Sequence, residues 1–381
     1  MKKILMVAAL AAMGLGAAPV VEITSVQQQY PWTNTVDITY TSTGIAEENT
    51  YYVVFKAYDA ASKEIGVITN DLKVSQGSTW VAQWQPPFNV RYENCTMTPY
   101  VYKGGMDDYM IVDLNDWSVT YEPMSTQDAA NEKYNKPEYK TTKLVLRKVN
   151  SGTYKIGHAN IENNTPHNAI VPDGTCYYIG IYHVTVAQYN KVMGGTASTS
   201  TDAVRNVSWN SLRNSAGTSA DISANKNDTE HFFPRLNGLT GRNFDLPTER
   251  MWEVAGRAGG TSEYFWGDNW DDYATYVWHG GTGYYLAVGN KKPNAWGIYD
   301  LQGVLWEWIR DVLNNNDLAN LTTADIYTPV TTASGDASYH WQRGATRDHS
   351  AGNHRMSARA YGREASAATT WTGFRVSLVA R

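Results

Sequence analysis

Cysteine is nearly absent from this chain: 381 residues include only Cys95 and Cys176. Two cysteines so far apart have no metal-ligand spacing and make no disulfide framework. One bridge, or two buried thiols, would fit equally. An excess of positive charge is also missing. Lys and Arg number 32 against 37 Asp and Glu, a formal net charge of −5. There is no lysine run and no basic helix, which excludes the electrostatic footprint of nucleic-acid binding and of membrane-surface attachment. Past the N-terminus, no run is apolar enough to cross a bilayer, so no transmembrane segment is expected. The H-E-x-x-H helix, the nucleophile elbow and the phosphate-binding loop are all lacking.

Tyrosine and tryptophan are abundant, at 26 and 14 against 7 Phe. Rings with a polar tip suit the binding surface of a secreted protein, and equally a loop-rich core short of long aliphatics. The length suggests two domains. The N-terminus reads MKKILMVAALAAMGLGAAP. Lys2 and Lys3 precede a short apolar stretch, and Gly16, Ala17 and Ala18 offer a cleavage site. Residues 1–18 are therefore expected to be a signal peptide, and the mature protein secreted, periplasmic or at the cell surface.

Residues 19–122 alternate with period two in VEITSV, TVDITYTS, TYYVVFKAYDA, TWVAQWQP, TMTPYVYK and DWSVTYEP. This predicts an all-β sandwich of the immunoglobulin or fibronectin type. It gathers no catalytic set, and reads as a spacer, an adhesion or carbohydrate-binding module, or a purely structural domain. Residues 123–142 are polar and aperiodic, and read as a linker. Residues 143–381 follow a different pattern. LVLRKVNSGTYKIGH predicts a hairpin turning at Ser151-Gly152. Helices are expected after Thr185, which forms a capping box with Gln188, and after the caps Ser208 and Thr248. Met251, Trp252, Ala255 and Ala258 make an apolar helical stripe. YDLQGVLWEW and GFRVSLV read as strands, and the whole as an α+β domain with much irregular loop.

The motifs GTYKIG, YHVTVAQYNKVMG, NVSWN, LPTERMWEVAGRAG, NAWGIYDLQGVLWEW and RGATRDHSAGNHRMSAR followed by GFRV occur in this order. Together they resemble the formylglycine-generating enzyme, or sulfatase-modifying-factor, family over about residues 143–381. The resemblance implies a C-type-lectin-like fold. Some members oxidise a sulfatase cysteine to formylglycine with copper and two C-terminal cysteines; others supply part of an oxidase site, and others bind ligands without chemistry. Against the family pattern, Arg343, Gly344, Arg355 and Arg359 match, but His354 stands where a catalytic cysteine belongs, and the second cysteine is also missing. Copper chemistry that relies on soft thiolates is therefore not expected. His354 with His349, joined by His340, would be the remaining metal candidates; solvated loop histidines are the plainer reading. In the family's calcium loop, Val304 replaces the asparagine, leaving Glu307 as the candidate calcium ligand, and Thr275 stands where a second site uses asparagine. Asp245, Pro247, Glu249, Trp252, Asn294, Trp296, Gly297, Tyr299 and Asp300 read as structural.

What remains is a ligand-facing segment, 343–372. Arg343, Arg347, Arg355, Arg359 and Arg363 offer forked donors, Asp348, His349, Asn353 and His354 offer polar contacts, and Trp341, Tyr361 and Trp371 offer flat faces. The expected ligand is a glycan, peptide or protein met outside the cytoplasm, with Arg347, His349, Asn353 and His354 on one exposed concave face. A refinement of this reading makes the loop one diversified by a retroelement; the alternative is a copper- or iron-dependent oxidase acting on a protein cysteine or related sulfur substrate.

Overall fold

The computed structural model describes residues 20–28, 36–43, 50–58, 64–74, 79–84 and 96–104, and from there 108–124, 126–161, 163–172, 175–213, 228–280, 286–320, 326–331, 333, 338–359 and 361–380. The proposed signal peptide and Cys95 lie outside the described residues. The chain divides into two compact units, Met1–Met106 and Asp107–Arg381.

In the first unit, β1 (Val20–Gln28), β2 (Val36–Thr43) and β5 (Thr79–Trp84) form one antiparallel sheet in the order β1-β2-β5. A second sheet orders β4 (Glu64–Val74), β3 (Thr50–Tyr58) and β6 (Thr96–Gly104) as β4-β3-β6. The period-two alternation puts every second side chain inward. Val21, Ile23, Ile38, Tyr40 and Ala82 from the first sheet share a core with Val53, Phe55, Ala57 and Met97 from the second. The Tyr40 and Phe55 rings meet edge to face, with centroids 4.9 Å apart.

The expected domain boundary is corrected by the strand pairing. DWSVTYEP does not belong with the N-terminal sheets. Its strand β8 (Val119–Glu122) pairs with β7 (Tyr109–Asp113), which pairs with β9 (Lys143–Val149). These join β12 (Cys176–Gly180), β18 (Ser377–Ala380) and β13 (Phe244–Asp245) in a six-stranded sheet ordered β13-β18-β12-β9-β7-β8. The expected linker is two helices, α1 (Gln127–Tyr134) and α2 (Glu138–Thr141). Tyr134 and Tyr139 from these helices pack into a cluster with Tyr109, Val145, Tyr182 and Tyr299. Burial of those rings, invisible to a count of polar residues, orders the segment.

The expected hairpin is also corrected. β9 is a central strand held between β7 and β12, so β10 (Gly152–Ile156) turns away to pair with β11 (His167–Val171). The helix starts are as expected. Thr185 and Gln188 make both bonds of a capping box at α3 (Val186–Met193), and left-handed Gly194 ends that helix. Ser208 Oγ accepts from the Ser211 N–H at α4 (Trp209–Arg213), and α5 spans Phe232–Thr240. Thr248 caps α6 (Glu249–Arg257), all nine residues of which are buried. A four-stranded sheet, β16-β15-β14-β17, completes the unit, with β14 (Trp306–Val312), β15 (Tyr339–Arg343), β16 (Tyr361–Glu364) and β17 (Thr372–Gly373). Much of the aromatic excess is core: Trp209, Trp252 and Trp308 are fully buried, and each indole N–H finds an oxygen acceptor at 3.0 Å.

Candidate functional site

The C-terminal segment leaves β15 at Arg343 and is fastened at once. Gly344 has φ +82°, and a Cβ there would lie 2.7 Å from the Leu301 carbonyl oxygen, so the tight exit requires glycine. The Gly303 N–H then donates to the Ala345 carbonyl (2.7 Å), Thr346 Oγ1 pairs with His349 Nδ1 (2.7 Å), and a 3-10 turn covers Ala351–His354. Met356 N–H donates to the Glu263 carbonyl, and the Met356 side chain enters the core.

Of the arginines matched to the family motif, Arg343 and Arg359 face inward, which corrects their reading as ligand forks. Arg343 is fully buried and bridges α6: Nη1 to Glu249 (2.9 Å) and Nη2 to Glu253 (2.7 Å). Arg359 Nε also reaches Glu249 (2.6 Å), while its Nη atoms donate to the carbonyls of Asn163, Asn314 and Asn316. Burial alone would raise the Glu253 carboxyl. Arg343 and Arg257, the Gly157 N–H and the Asn164 amide outweigh it and hold the group at about 2. The charged face of α6 is thus an internal lock between the helix and the C-terminal segment. Trp341 is likewise core, with the Arg359 guanidinium 4.5 Å from its ring centroid.

The three histidines have different surroundings. His340 is buried and stacks on Trp209 (3.9 Å, 12°). His349 sits against Trp306 (5.0 Å) and exposed Tyr361 (5.2 Å). His354 is fully buried beside Trp270 (5.1 Å) and His279 (5.7 Å). Burial, with His279 and His349 adding to it, pushes His354 down to about 3. The expected shared face therefore does not form: His354 lies inside, and Arg347 is engaged with Asp348 (3.4 Å) and the Gly280 carbonyl (3.2 Å). Arg363 is half-buried on β16 opposite His340, and Trp371 is exposed at the end of the segment. Among the described residues, no group of three or more His, Cys, Asp or Glu is placed to hold a metal.

Glu307 is not an open calcium ligand. Arg375 donates to both of its oxygens (2.6 and 2.8 Å) and Trp252 Nε1 to one of them (3.0 Å). A fixed cation already occupies the carboxylate.

An open feature lies beside the 3-10 turn. A cleft of about 760 Å³ is lined by Asn160, Asn163, Asn315, Asn353, Arg355 and Arg359, with Ile161, Gly352 and Ala358. Asn353, Arg355 and Arg359 are among the residues the sequence points to; Asn160, Asn163 and Asn315 are not. Their signal was present as asparagine clusters in two loops, HANIENN and NNND, but sequence alone does not bring those loops to residues 352–359. Arg355 pairs with Glu263 across the rim.

The chain matches the model of the sulfatase-modifying factor enzyme 1-like domain over residues 131–379. The formylglycine-generating enzyme of Mycobacterium tuberculosis is 36% identical over 76 residues, which is 16% of this chain and 25% of that protein. The inactive C-alpha-formylglycine-generating enzyme 2 of Mus musculus is 37% identical over 75 residues, 16% of this chain and 24% of that protein. The match thus spans about a quarter of either relative. Among solved structures, Treponema denticola variable protein 1 has a TM-score of 0.51 at 19% identity, covering 62% of this chain and 95% of that one. That likeness is one of fold.

Proposed function

Because the chain belongs to the sulfatase-modifying factor enzyme 1-like family, we propose that it uses the family's C-type-lectin-like scaffold for binding and not for oxidation. In this reading it is exported, by cleavage after residue 18, and holds a ligand in the cleft beside residues 352–359. The observation that carries it is this cleft together with what lies next to it: a fully buried His354 at the family's cysteine position.

The residues present do not fit the family's copper. Residues 343–359 contain no thiol, and Cys176 is buried at the start of β12. An imidazole cannot exchange with a substrate thiol or supply a soft thiolate pair, so no oxidative step is assigned. The mouse relative named as inactive is consistent with this use of the scaffold. The N-terminal sheets, taken as an immunoglobulin- or fibronectin-like sandwich, act as a spacer. If the segment 343–372 is diversified, its variable positions are the ones outside the core, such as Asp348, Ser350, Asn353, Tyr361 and Trp371.

Filling the cleft tests the proposal. A Cβ at Gly352 would meet nothing closer than 3.6 Å, so Gly352→Trp should fold. Ligands selected from displayed peptide and oligosaccharide libraries should bind the wild-type chain and lose the variant. Undiminished binding to a well-folded variant would remove the cleft from the account.

A further inference from the structure

Four carboxamide side chains converge on the cleft from three separate loops: Asn160 and Asn163, Asn315, and Asn353. Among the described residues, the side-chain amides of Asn160, Asn163 and Asn353 have no hydrogen-bond partner. A primary amide offers two donors and two acceptor lone pairs on one short arm. A ligand that fills such a wall must return both kinds of partner within a small volume, or leave polar groups desolvated and unpaired. Vicinal hydroxyls meet that demand, since each both donates and accepts.

The charge of the wall narrows the class. Its two arginines are already engaged: Arg355 with Glu263, and Arg359 with Glu249 and three carbonyls. Each guanidinium thus already faces a carboxylate that offsets its charge, which lowers the wall's preference for a sulfate, phosphate or uronate, and no carboxylate is among the lining residues. An extended peptide fits less well, because none of the lining residues belongs to a strand. There is no edge onto which a peptide backbone could add. Ile161 and Ala358 offer apolar contact for the C–H face of a sugar ring. The volume, about 760 Å³, lies within the usual range of small-ligand sites, about 300–1,000 Å³.

Resting on the binding reading above, we infer that the cleft takes a neutral oligosaccharide, recognised by carboxamide–hydroxyl hydrogen bonds without an ionic contact. The full chain would be tested against immobilised neutral glucans, mannans, galactans and xylans, against sulfated and uronate-containing glycans, and against a displayed peptide library. The expected result is binding to a neutral glycan that changes little between about 50 and 500 mM salt, because no ion pair is screened. The double variant Asn160→Ala/Asn353→Ala should weaken it at least about tenfold, and Gly352→Trp should abolish it. Selective binding of anionic glycans that weakens with salt, or of peptides alone, sensitive to Gly352→Trp in either case, would overturn the neutral-sugar inference and leave the cleft reading standing. Neutral-glycan binding that survives Gly352→Trp, or no binding to any probe, would overturn both.

Discussion

Arg343 and Glu253 meet at 2.7 Å with both side chains fully buried, 90 residues apart in sequence. This contact ties the strand that launches the C-terminal segment to the helix beneath it. Removing one partner of a buried pair leaves the other charge uncompensated, at a cost of about 3–5 kcal/mol. Glu253→Gln should lose stability of that order in urea unfolding. The acid dependence should change with it. The folded carboxyl lies at about 2, below its ordinary 4.5, so its stabilisation is complete above 4.5 and is lost as pH falls toward 2. The variant should lack this part of the acid limb; an unchanged limb would show that the lock does not operate in solution.

The histidines carry an acid sensitivity at higher pH. Burial, together with neighbouring His279 and His349, lowers His354 to about 3 from 6.5, and burial takes His183 and His340 to about 4. Below 6.5 the unfolded chain binds protons that the folded chain refuses, so stability falls with pH through that window. His354→Phe should reduce the loss between about pH 7 and pH 5 by roughly 1–2 kcal/mol. An equal loss in variant and wild type would place His354 in contact with water.

Asp300 has the opposite sign. Burial raises it to about 6 from 3.8, with Glu307 adding to the rise and the Gly289 N–H, Arg375 and Lys140 offsetting part of it. The folded state holds a proton that the unfolded state releases, and ionisation costs stability as pH rises through 6. Asp300 also has φ +56°, which asparagine tolerates. Asp300→Asn can keep an acceptor for the Gly289 N–H (2.6 Å) while removing the buried charge. It should gain stability over wild type at about pH 8, keep about half of that gain at about pH 5, and lose it below 3.8. Equal destabilisation at both would mean that the Lys140 and Arg375 fields outweigh the burial cost.

Glu307 bears on calcium. With Arg375 on both of its oxygens, the carboxylate already faces a fixed cation, and a divalent cation would need several further oxygen ligands. Chelator should leave the melting temperature of wild-type protein unchanged, whereas Glu307→Gln should destabilise it by about 3–5 kcal/mol through the orphaned Arg375. A chelator-induced drop that is absent in Glu307→Gln would restore the calcium reading.

Local signals were legible in the sequence, and the gathering of distant residues was not. Capping at Thr185, Ser208 and Thr248 depends on a few neighbouring atoms, and the structure has all three. Period two located β1, β2, β3, β5 and β6, because each presents one face to a core. It missed β4 and β7. It also assigned β8 to the wrong unit, since alternation does not say which strand is the partner. At the site, arginine, histidine and tryptophan were read as ligand groups by residue type. Arg343, Arg359, His354 and Trp341 are buried because α6 supplies Glu249 and Glu253, and because Trp270 and the core supply surfaces, none of which is adjacent in sequence. The asparagines that line the cleft are ordinary loop residues until the fold assembles them.

The central claim is that this scaffold binds without oxidising. It is tested most directly by incubating the mature protein with copper, oxygen, a thiol reductant and a sulfatase-type cysteine peptide, and following the peptide mass. The account predicts no conversion. Formylglycine formation that is abolished by His354→Ala would contradict it.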